Sequence, residues 1–244
     1  MGNYYEKMKE KYSDETMEFL KLKKYIPMIK YGLISETDWQ TIQKTIDLVL
    51  HKNSQEYIYV TEVGLFNCET SSAIFDYIEK KSWECVYTGI DNNKDKKIDA
   101  PFWMTFIEGN SSEVYNQLAG NSQDLIFVDG DHSLIGVISD FFAYADKVKV
   151  GGFFCFHDTG RHIKPFKDFQ HGDKDNPDAY ISCRKALGVI GLFDNSYDTY
   201  LDYTDGNSVR IKNISNRQPN WKLIFDEADE TNEAGGVCVF KKLF

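Results

Sequence analysis

Paired cysteines are missing from this 244-residue sequence. The five cysteines are an odd number and include no C-x-x-C pair. Zinc knuckles and disulfide frameworks both depend on paired cysteines, so neither is indicated. The chain must therefore fold on its apolar residues, and 42% hydrophobic residues are enough for one core. Scattered free thiols are typical of a reducing cytoplasm.

Long apolar runs are also missing. No stretch approaches the length of a membrane-spanning helix, and residues 1–15 lack the apolar segment of a secretory signal. Glu6 breaks the N-myristoylation pattern. The sequence predicts a cytoplasmic protein with no membrane partner.

Basic residues are outnumbered in this chain. It has 28 lysines and arginines against 38 aspartates and glutamates, a net charge of -10. An acidic protein repels a phosphate backbone. The densest basic run, residues 94–97, is interrupted by Asp95 and is typical of a solvated loop. No nucleic-acid partner is predicted.

No linker rich in proline, glycine or serine divides the chain, and it has no internal repeat. We therefore expect a single domain over residues 1–244. Residues 1–55 have helical spacing, with a capping box at Ser35 and Asp38. They predict a helical N-terminal arm, through which two copies could pair as a homodimer, before a core at residues 56–244.

Strand-like and helix-like segments alternate from residue 57 onward. The predicted strands are 57–64, 86–91, 104–108, 124–128 and 152–156, and the predicted helices begin near Ser71, Ser112, Ser133 and Asn176. This alternation is typical of an α/β fold with helices on both faces of a parallel sheet. Two further runs, 221–225 and 236–241, predict a final antiparallel pair.

Ligands of an open parallel sheet bind beyond the carboxyl ends of its strands. Each of the five predicted strand ends carries an acidic residue or has one beside it: Glu62, Asp91, Glu108, Asp129 and Asp158. We therefore look for the site at this edge of the sheet.

The first strand end leads through Gly64 into a helix whose N-terminus offers free N–H groups. Phe66 and Cys68 stand where a G-x-G-x-x-G loop would have glycine, which disfavours a dinucleotide. An ordinary strand-to-helix turn and a cofactor loop both remain open.

The second and third strand ends offer polar groups to a nucleoside. Asp91 could accept ribose hydroxyls or be a plain loop aspartate. Asn110 and Ser111 could bind an adenine or cap the next helix.

The run Asp129-Gly-Asp131-His132-Ser133 places two carboxylates and an imidazole at one strand end. Such a cluster suits a shared divalent cation or a general base, although Asp131 or Ser133 could also cap the following helix.

His157 and Asp158 end the next strand. Asp129 and Asp158 could share a hard cation such as Mg²⁺, or could be hydrogen-bonded loop acids. His157 would be an unusual Mg²⁺ ligand, so it could instead orient Asp158 or favour Mn²⁺ or Fe²⁺. The long polar segment 160–177 is either a lid or a surface loop.

These residues resemble the class I S-adenosylmethionine-dependent methyltransferases. The resemblance covers residues 57–192 and is most specific over 124–158, which contains Asp-Gly-Asp-His-Ser and His157-Asp158. It is similar to the bacterial small-molecule methyltransferase family with a D-G-D-H-S motif and to cation-dependent O-methyltransferases.

The resemblance implies a three-layer, Rossmann-like, seven-stranded sheet, mostly parallel with an antiparallel last strand, preceded by N-terminal helices. It also implies S-adenosylmethionine as the cofactor, with Mg²⁺ or another divalent cation beside it. Its assignments are Glu62, Gly64 and Phe66 to the methionine part, Asp91 to the ribose, Asn110 and Ser111 to the adenine, Asp129 to the cofactor and the metal, and Asp158 to the metal.

The implied reaction is methylation of a small-molecule hydroxyl, on a sugar or a phenol. Asp131 would remove the proton, with the metal or His132 and His157 orienting the hydroxyl. Two alternatives remain. Cys68 could crowd the cofactor and leave a non-catalytic scaffold, or His157 with two acids could form the iron site of an oxygenase.

Overall fold

The structure is a computed structural model that describes residues 34–51, 57–92, 98, 100–160, 181–193, 199–202, 209–212, 218–227 and 235–244. Its helices are α1 (Glu36–Leu50), α2 (Glu69–Lys80), α3 (Ser111–Val114, continued by a 3-10 turn over Tyr115–Gln117), α4 (Leu134–Tyr144) and α5 (Cys183–Ile190). Its strands are β1 (Tyr57–Val63), β2 (Glu84–Asp91), β3 (Met104–Glu108), β4 (Gln123–Val128), β5 (Val148–Phe156), β6 (Thr199–Asp202), β7 (Val209–Lys212), β8 (Trp221–Glu227) and β9 (Val237–Lys242). Over these ranges, every helix is too short or too polar to cross a membrane.

Seven strands form one sheet in the order β3-β2-β1-β4-β5-β9-β8. Strands β1 to β5 are parallel, and β9 runs antiparallel to both β5 and β8. The α/β fold, the mostly parallel sheet and the final antiparallel pair are thus confirmed. The small antiparallel pair of β6 and β7 was not predicted from the sequence.

Helices cover both faces of the sheet and make three layers. On one face, Trp39 and Ile42 of α1 and Ile74 of α2 pack in a cluster with sheet residues such as Val60 and Phe127. The cluster on the other face joins α4 and α5 to the sheet through Val137, Phe141, Leu187, Ile126 and Phe154. Burial of these apolar side chains holds the layers together.

Local signals in the sequence fix the ends of two helices. The Ser35 hydroxyl accepts a hydrogen bond from the Asp38 N–H, and the Asp38 carboxylate accepts one from the Ser35 N–H, each at 3.1 Å. This confirms the predicted capping box, while the residues before Ile34 lie outside the described part. Ser133 likewise caps α4, because its hydroxyl accepts the Gly136 N–H at 3.0 Å.

One element begins earlier than the sequence predicts, and another predicted start lies outside the described residues. Strand β5 begins at Val148 rather than 152, and its pairing with β4 shifts register around Gly151, whose φ is +83°. The glycines that interrupt the apolar pattern thus form an irregularity inside the strand. A helix start near Asn176 lies outside the described residues, and α5 begins at Cys183.

The order of the strands creates a crevice. From β1 the chain moves outward to β2 and β3 and then returns to β4 on the other side of β1. The carboxyl ends of β1 and β4 are paired up to Val63 and Val128, so the loops beyond them diverge at the switch point of the sheet. Ligands of open α/β sheets bind at this place.

Candidate active site

The loop between β1 and α2 has the backbone of a glycine-rich turn with only one glycine. Gly64, Phe66 and Cys68 have φ values of +85°, +46° and +59°, all in the left-handed region. Two of the three are not glycine, although this region favours it. The Cys68 side chain is only 4% exposed and belongs to the hydrophobic cluster under α1 and α2. Its thiol therefore packs in the core.

Gly64 lies where the loops after β1 and β4 approach each other. A Cβ at this position would be 2.3 Å from the Asp129 carbonyl oxygen. The Asp129 N–H donates to the Val63 carbonyl at 2.8 Å, and the Gly64 N–H donates to the Ile90 carbonyl at 2.9 Å. The backbone at the bottom of the crevice is thus tightly connected.

Glu62 is a fully buried carboxyl at the end of β1. One of its oxygens accepts hydrogen bonds from the Ser71 hydroxyl and, at 2.5 Å, from the Tyr87 hydroxyl. Burial raises the pKa of Glu62 to about 8. The group is thus largely protonated at neutral pH, and it links β1 to α2 and β2.

The residues predicted to bind the nucleoside lie at the ends of β2 and β3. The Asp91 carboxylate accepts the Leu65 N–H at 2.8 Å and so ties β2 to the loop after β1. Asn110 is exposed and caps α3 by accepting the Ser112 N–H at 3.2 Å. The Ser111 hydroxyl donates to Asp140 of α4.

Asp140 is a buried carboxyl that the sequence analysis did not assign to the site. Burial raises its pKa to about 7, with the charge of Asp131 acting in the same direction. Its Oδ1 accepts from Ser111, while its Oδ2 is buried and has no hydrogen-bond partner among the residues that the structure describes. Its position in the middle of an amphipathic helix gave no sign of this contact.

Asp129, His132 and Asp158 meet at the ends of β4 and β5. Each offers one ligand atom, and these atoms lie within 4.8 Å of one another. The His132 Nε2 is 3.4 Å from Oδ1 of Asp129 and 3.4 Å from Oδ2 of Asp158. Two carboxylates and an imidazole at this spacing can surround one divalent cation.

His157 lies behind this group and is 4% exposed. Its Nδ1 is 2.9 Å from Oδ1 of Asp129, and its Nε2 is 3.5 Å from Oδ2 of Asp38 on α1. We call Asp129, His132 and Asp158 the metal-type group, and its imidazole is that of His132. The facial triad inferred from the sequence had placed His157 there.

Opposite charges set the ionisation of this pair. Burial alone would raise the pKa of Asp129, but the charge of His157 and hydrogen bonds from both histidines hold it well below its ordinary value. Burial alone would lower the pKa of His157, but the charges of Asp129 and Asp158 raise it well above its ordinary value. Each shift favours the charged form of its group, because each group is the other's counter-ion.

Asp131, the predicted base, is exposed at the start of the α4 cap. Its Oδ1 accepts the Ser133 N–H at 2.9 Å, while the helix cap that the sequence offered to Asp131 or Ser133 is made by Ser133. A Cβ on Gly136 would lie 2.3 Å from the Asp131 carboxyl carbon, so this glycine makes room for the carboxylate. Asp131 thus has a fixed position at the edge of the crevice.

The comparisons with known proteins agree with this geometry. Residues 62–159 match the family model of a methyltransferase domain. No curated protein matches the chain in sequence. An O-methyltransferase from Bacillus cereus, solved in complex with SAH, is 10% identical with a TM-score of 0.51, covering 95% of this chain and 92% of its own. The cofactor-bound protein Rv0187 from MTB is 11% identical with a TM-score of 0.50, covering 84% and 86%.

At such low identity these structures establish the fold alone, and the family model adds a likeness to a methyltransferase domain over residues 62–159. The matched residues run from Glu62 to Thr159 and include the ends of the five parallel strands. The sheet order around the crevice is shared with these structures, and the part of the chain that forms the crevice, residues 62–159, is similar to a methyltransferase domain.

Proposed function

We propose that the protein is a class I S-adenosylmethionine-dependent methyltransferase that transfers the methyl group to a hydroxyl of a small molecule, which is held beside a divalent cation. The proposal depends on the metal-type group of Asp129, His132 and Asp158. This group lies at the ends of β4 and β5, next to the Gly64 loop. A cofactor that fills the crevice would thus have a metal-type site as its neighbour.

The crevice suits S-adenosylmethionine in several places. The left-handed backbone at Gly64, Phe66 and Cys68 leads into the start of α2, where the positive end of the helix dipole favours a negatively charged group. Glu62 holds this turn by accepting a hydrogen bond from the Ser71 hydroxyl, close to the place that we propose for the methionine part of the cofactor. Asp91 would accept the ribose hydroxyls, and Asn110 with Ser111 would bind the adenine.

The metal-type group suits a divalent cation of intermediate hardness. Asp129 and Asp158 offer the carboxylate oxygens that Mg²⁺ prefers, and the His132 nitrogen adds affinity for Mn²⁺ or Fe²⁺. The Asp158 carboxylate is oriented by the Gly235 N–H, which donates to its Oδ1 at 2.9 Å. A bound cation would supply Lewis-acid polarisation of the acceptor hydroxyl.

We assign to Asp131 the role of the general base that removes the proton of the acceptor hydroxyl. It is exposed, while the other acids of the site are largely buried, and the Ser133 N–H fixes its orientation. Asp131 would accept the hydroxyl proton, and bound S-adenosylmethionine would supply the methyl group to the acceptor oxygen and leave as S-adenosylhomocysteine. The sulfonium is already activated, so the protein contributes positioning and proton removal.

Transfer of a tritiated methyl group from S-adenosylmethionine tests this function. Sugars and phenols are offered as acceptors with Mg²⁺ or Mn²⁺ present. Asp131→Asn should lower kcat by about 10²–10⁴-fold, as expected for loss of a general base. Asp158→Asn should raise the metal concentration needed for half-maximal activity. Asp76→Asn, at an exposed acid on α2, is the matched control.

Two results would contradict the proposal. Wild-type turnover in Asp131→Asn would remove this residue from the reaction. Full activity in the presence of a chelator would show that methyl transfer does not need a divalent cation.

A further inference from the structure

Asp38 belongs to α1, outside residues 62–159, yet its carboxylate reaches the end of β5. It is 1% exposed. Its Oδ1 accepts the Gly236 N–H at 3.0 Å, and its Oδ2 accepts the Ser35 hydroxyl at 2.6 Å while lying 3.5 Å from Nε2 of His157. A helix cap alone would not need the contacts with Gly236 and His157.

His157 connects Asp38 to the metal-type group. Its Nδ1 lies 2.9 Å from the Asp129 oxygen, and its Nε2 faces Asp38. Each ring nitrogen thus faces a carboxylate, so the imidazole cannot also act on a substrate. The Nδ1 contact is a hydrogen bond to Asp129, whereas the Nε2 contact with Asp38 is an ion-pair contact without hydrogen-bond geometry. The charge of Asp38 therefore orients the ring, and the ring holds the carboxylate of Asp129.

The two glycines just before β9 hydrogen-bond to acids of the same region. Gly235 and Gly236 donate successive N–H groups, one to Asp158 and the other to Asp38. Both glycines have φ near +90°, and a Cβ on Gly236 would be 2.8 Å from the Gly160 nitrogen. One short backbone segment therefore orients Asp158 directly and Asp129 through Asp38 and His157.

We propose that Asp38 is a positioning residue of the active site, acting through His157 on Asp129. This rests on the proposed metal-assisted function. The chain from carboxylate to imidazole to carboxylate sets the orientation of a metal ligand, as outer residues of metal sites do. Helix α1 therefore contributes a positioning residue to the active site.

The capping box provides a matched pair of variants. Asp38→Asn removes the charge that faces His157, and Ser35→Ala removes the other half of the cap but keeps the Asp38 carboxylate. In the full-length protein, Asp38→Asn should weaken Mn²⁺ binding by about tenfold, the lower end of effects seen for outer residues of metal sites. Ser35→Ala should stay within about twofold of the wild type. Equal Mn²⁺ affinities in the two variants would overturn the proposal.

Kinetics with the same proteins give a second readout. Asp38→Asn should lower kcat by about tenfold at saturating Mn²⁺ while the KM for S-adenosylmethionine changes little, because Asp91 and Gly64 are untouched. A purely structural cap would lower the amount of folded enzyme in both variants alike.

Nuclear magnetic resonance separates this proposal from the function on which it rests. The His157 ring ¹⁵N signals, assigned by their loss in His157→Asn, should shift in Asp38→Asn and not in Ser35→Ala. Asp38→Glu, which keeps the charge but moves it away from α1, gives a second comparison if Asp38→Asn does not fold. His157 signals that are the same in the wild type and in the Asp38 variants would overturn the proposal. A wild type that binds no Mn²⁺, with His157 signals that still shift in Asp38→Asn, would overturn the metal and keep Asp38 as the group that orients His157.

Discussion

Gly64 lies where the loop after β1 touches the backbone of Asp129. A side chain there meets two penalties, because the φ of +85° disfavours L-residues and a Cβ would overlap the Asp129 carbonyl and Gly130. Together they should cost about 2–5 kcal/mol in Gly64→Ala. Urea unfolding measures the loss, and calorimetry with S-adenosylhomocysteine should show weaker binding.

Gly120→Ala is the control for this change. A Cβ at Gly120 would have its nearest neighbour, the Asp146 carbonyl oxygen, at 3.9 Å, and the φ of Gly120 is not in the left-handed region. Its stability should stay within about 0.5 kcal/mol of the wild type. A Gly64→Ala protein that is as stable as Gly120→Ala would show that the two loops are not in close contact.

Glu62 should make stability depend on pH. Burial raises its pKa from 4.5 in the unfolded chain to about 8 in the fold, so the native state binds the proton more tightly. The stabilisation is complete below the unfolded value and is lost as pH rises from about 4.5 through 8. Glu62→Gln removes this titration, so the wild type should lose stability relative to the variant between pH 5 and pH 9.

Thermal unfolding of both proteins across this range measures the effect. Asp140, with a pKa of about 7, acts in the same direction in both proteins and cancels in the difference. Glu113→Gln, at an exposed acid of α3, should leave the profile unchanged. A constant difference between wild type and Glu62→Gln would mean that Glu62 is charged in the fold.

The acids at strand ends could be predicted, while the acids on helices could not. Asp129 and Asp158 directly follow apolar strands, and parallel strands bring their carboxyl ends to one edge. Asp38 and Asp140 lie within helical patterns, where the sequence indicates a cap or a solvated position. Their contacts with His157 and Ser111 depend on helix packing, which spacing along one helix does not reveal.

At the scale of elements, strand positions followed from the sequence better than strand order did. Apolar runs bounded by polar turns located all seven strands of the main sheet. The pairing of β1 with β4 depends on the direction in which each crossover turns and on which helices share a face. The unpredicted β6 and β7 are four residues each, too short for a clear alternating pattern.

Helix α4 begins beside the site, and its cap should contribute to stability. The Ser133 hydroxyl accepts the Gly136 N–H, and this bond satisfies one of the free donors of the first turn. Ser133→Ala should cost about 1 kcal/mol, and Ser133→Asn, which keeps a capping acceptor, should cost much less. Urea unfolding of the two variants measures both values. Equal losses would mean that the cap does not hold the helix end.

At the scale of the whole molecule, cofactor binding should be coupled to unfolding of the entire sheet. The crevice is built from the ends of β1, β2, β3 and β4, which are joined side by side, so the site is lost when the sheet unfolds. A ligand at 100 times its dissociation constant adds about 2.7 kcal/mol of stability. For a chain of 244 residues this corresponds to a rise in melting temperature of about 5–10 °C.

S-adenosylhomocysteine at rising concentrations should therefore raise the melting temperature of the wild type in a thermal shift assay. Homocysteine alone should give no shift, because it lacks the nucleoside that Asp91, Asn110 and Ser111 are proposed to bind. Asp91→Asn should need a higher ligand concentration for the same shift, since one carboxylate oxygen is replaced by an amide donor that suits ribose hydroxyls less well. A melting temperature that stays constant up to millimolar ligand would mean that the crevice does not accept the nucleoside, and the left-handed loop at Phe66 and Cys68 would then be the first place to look for the obstruction.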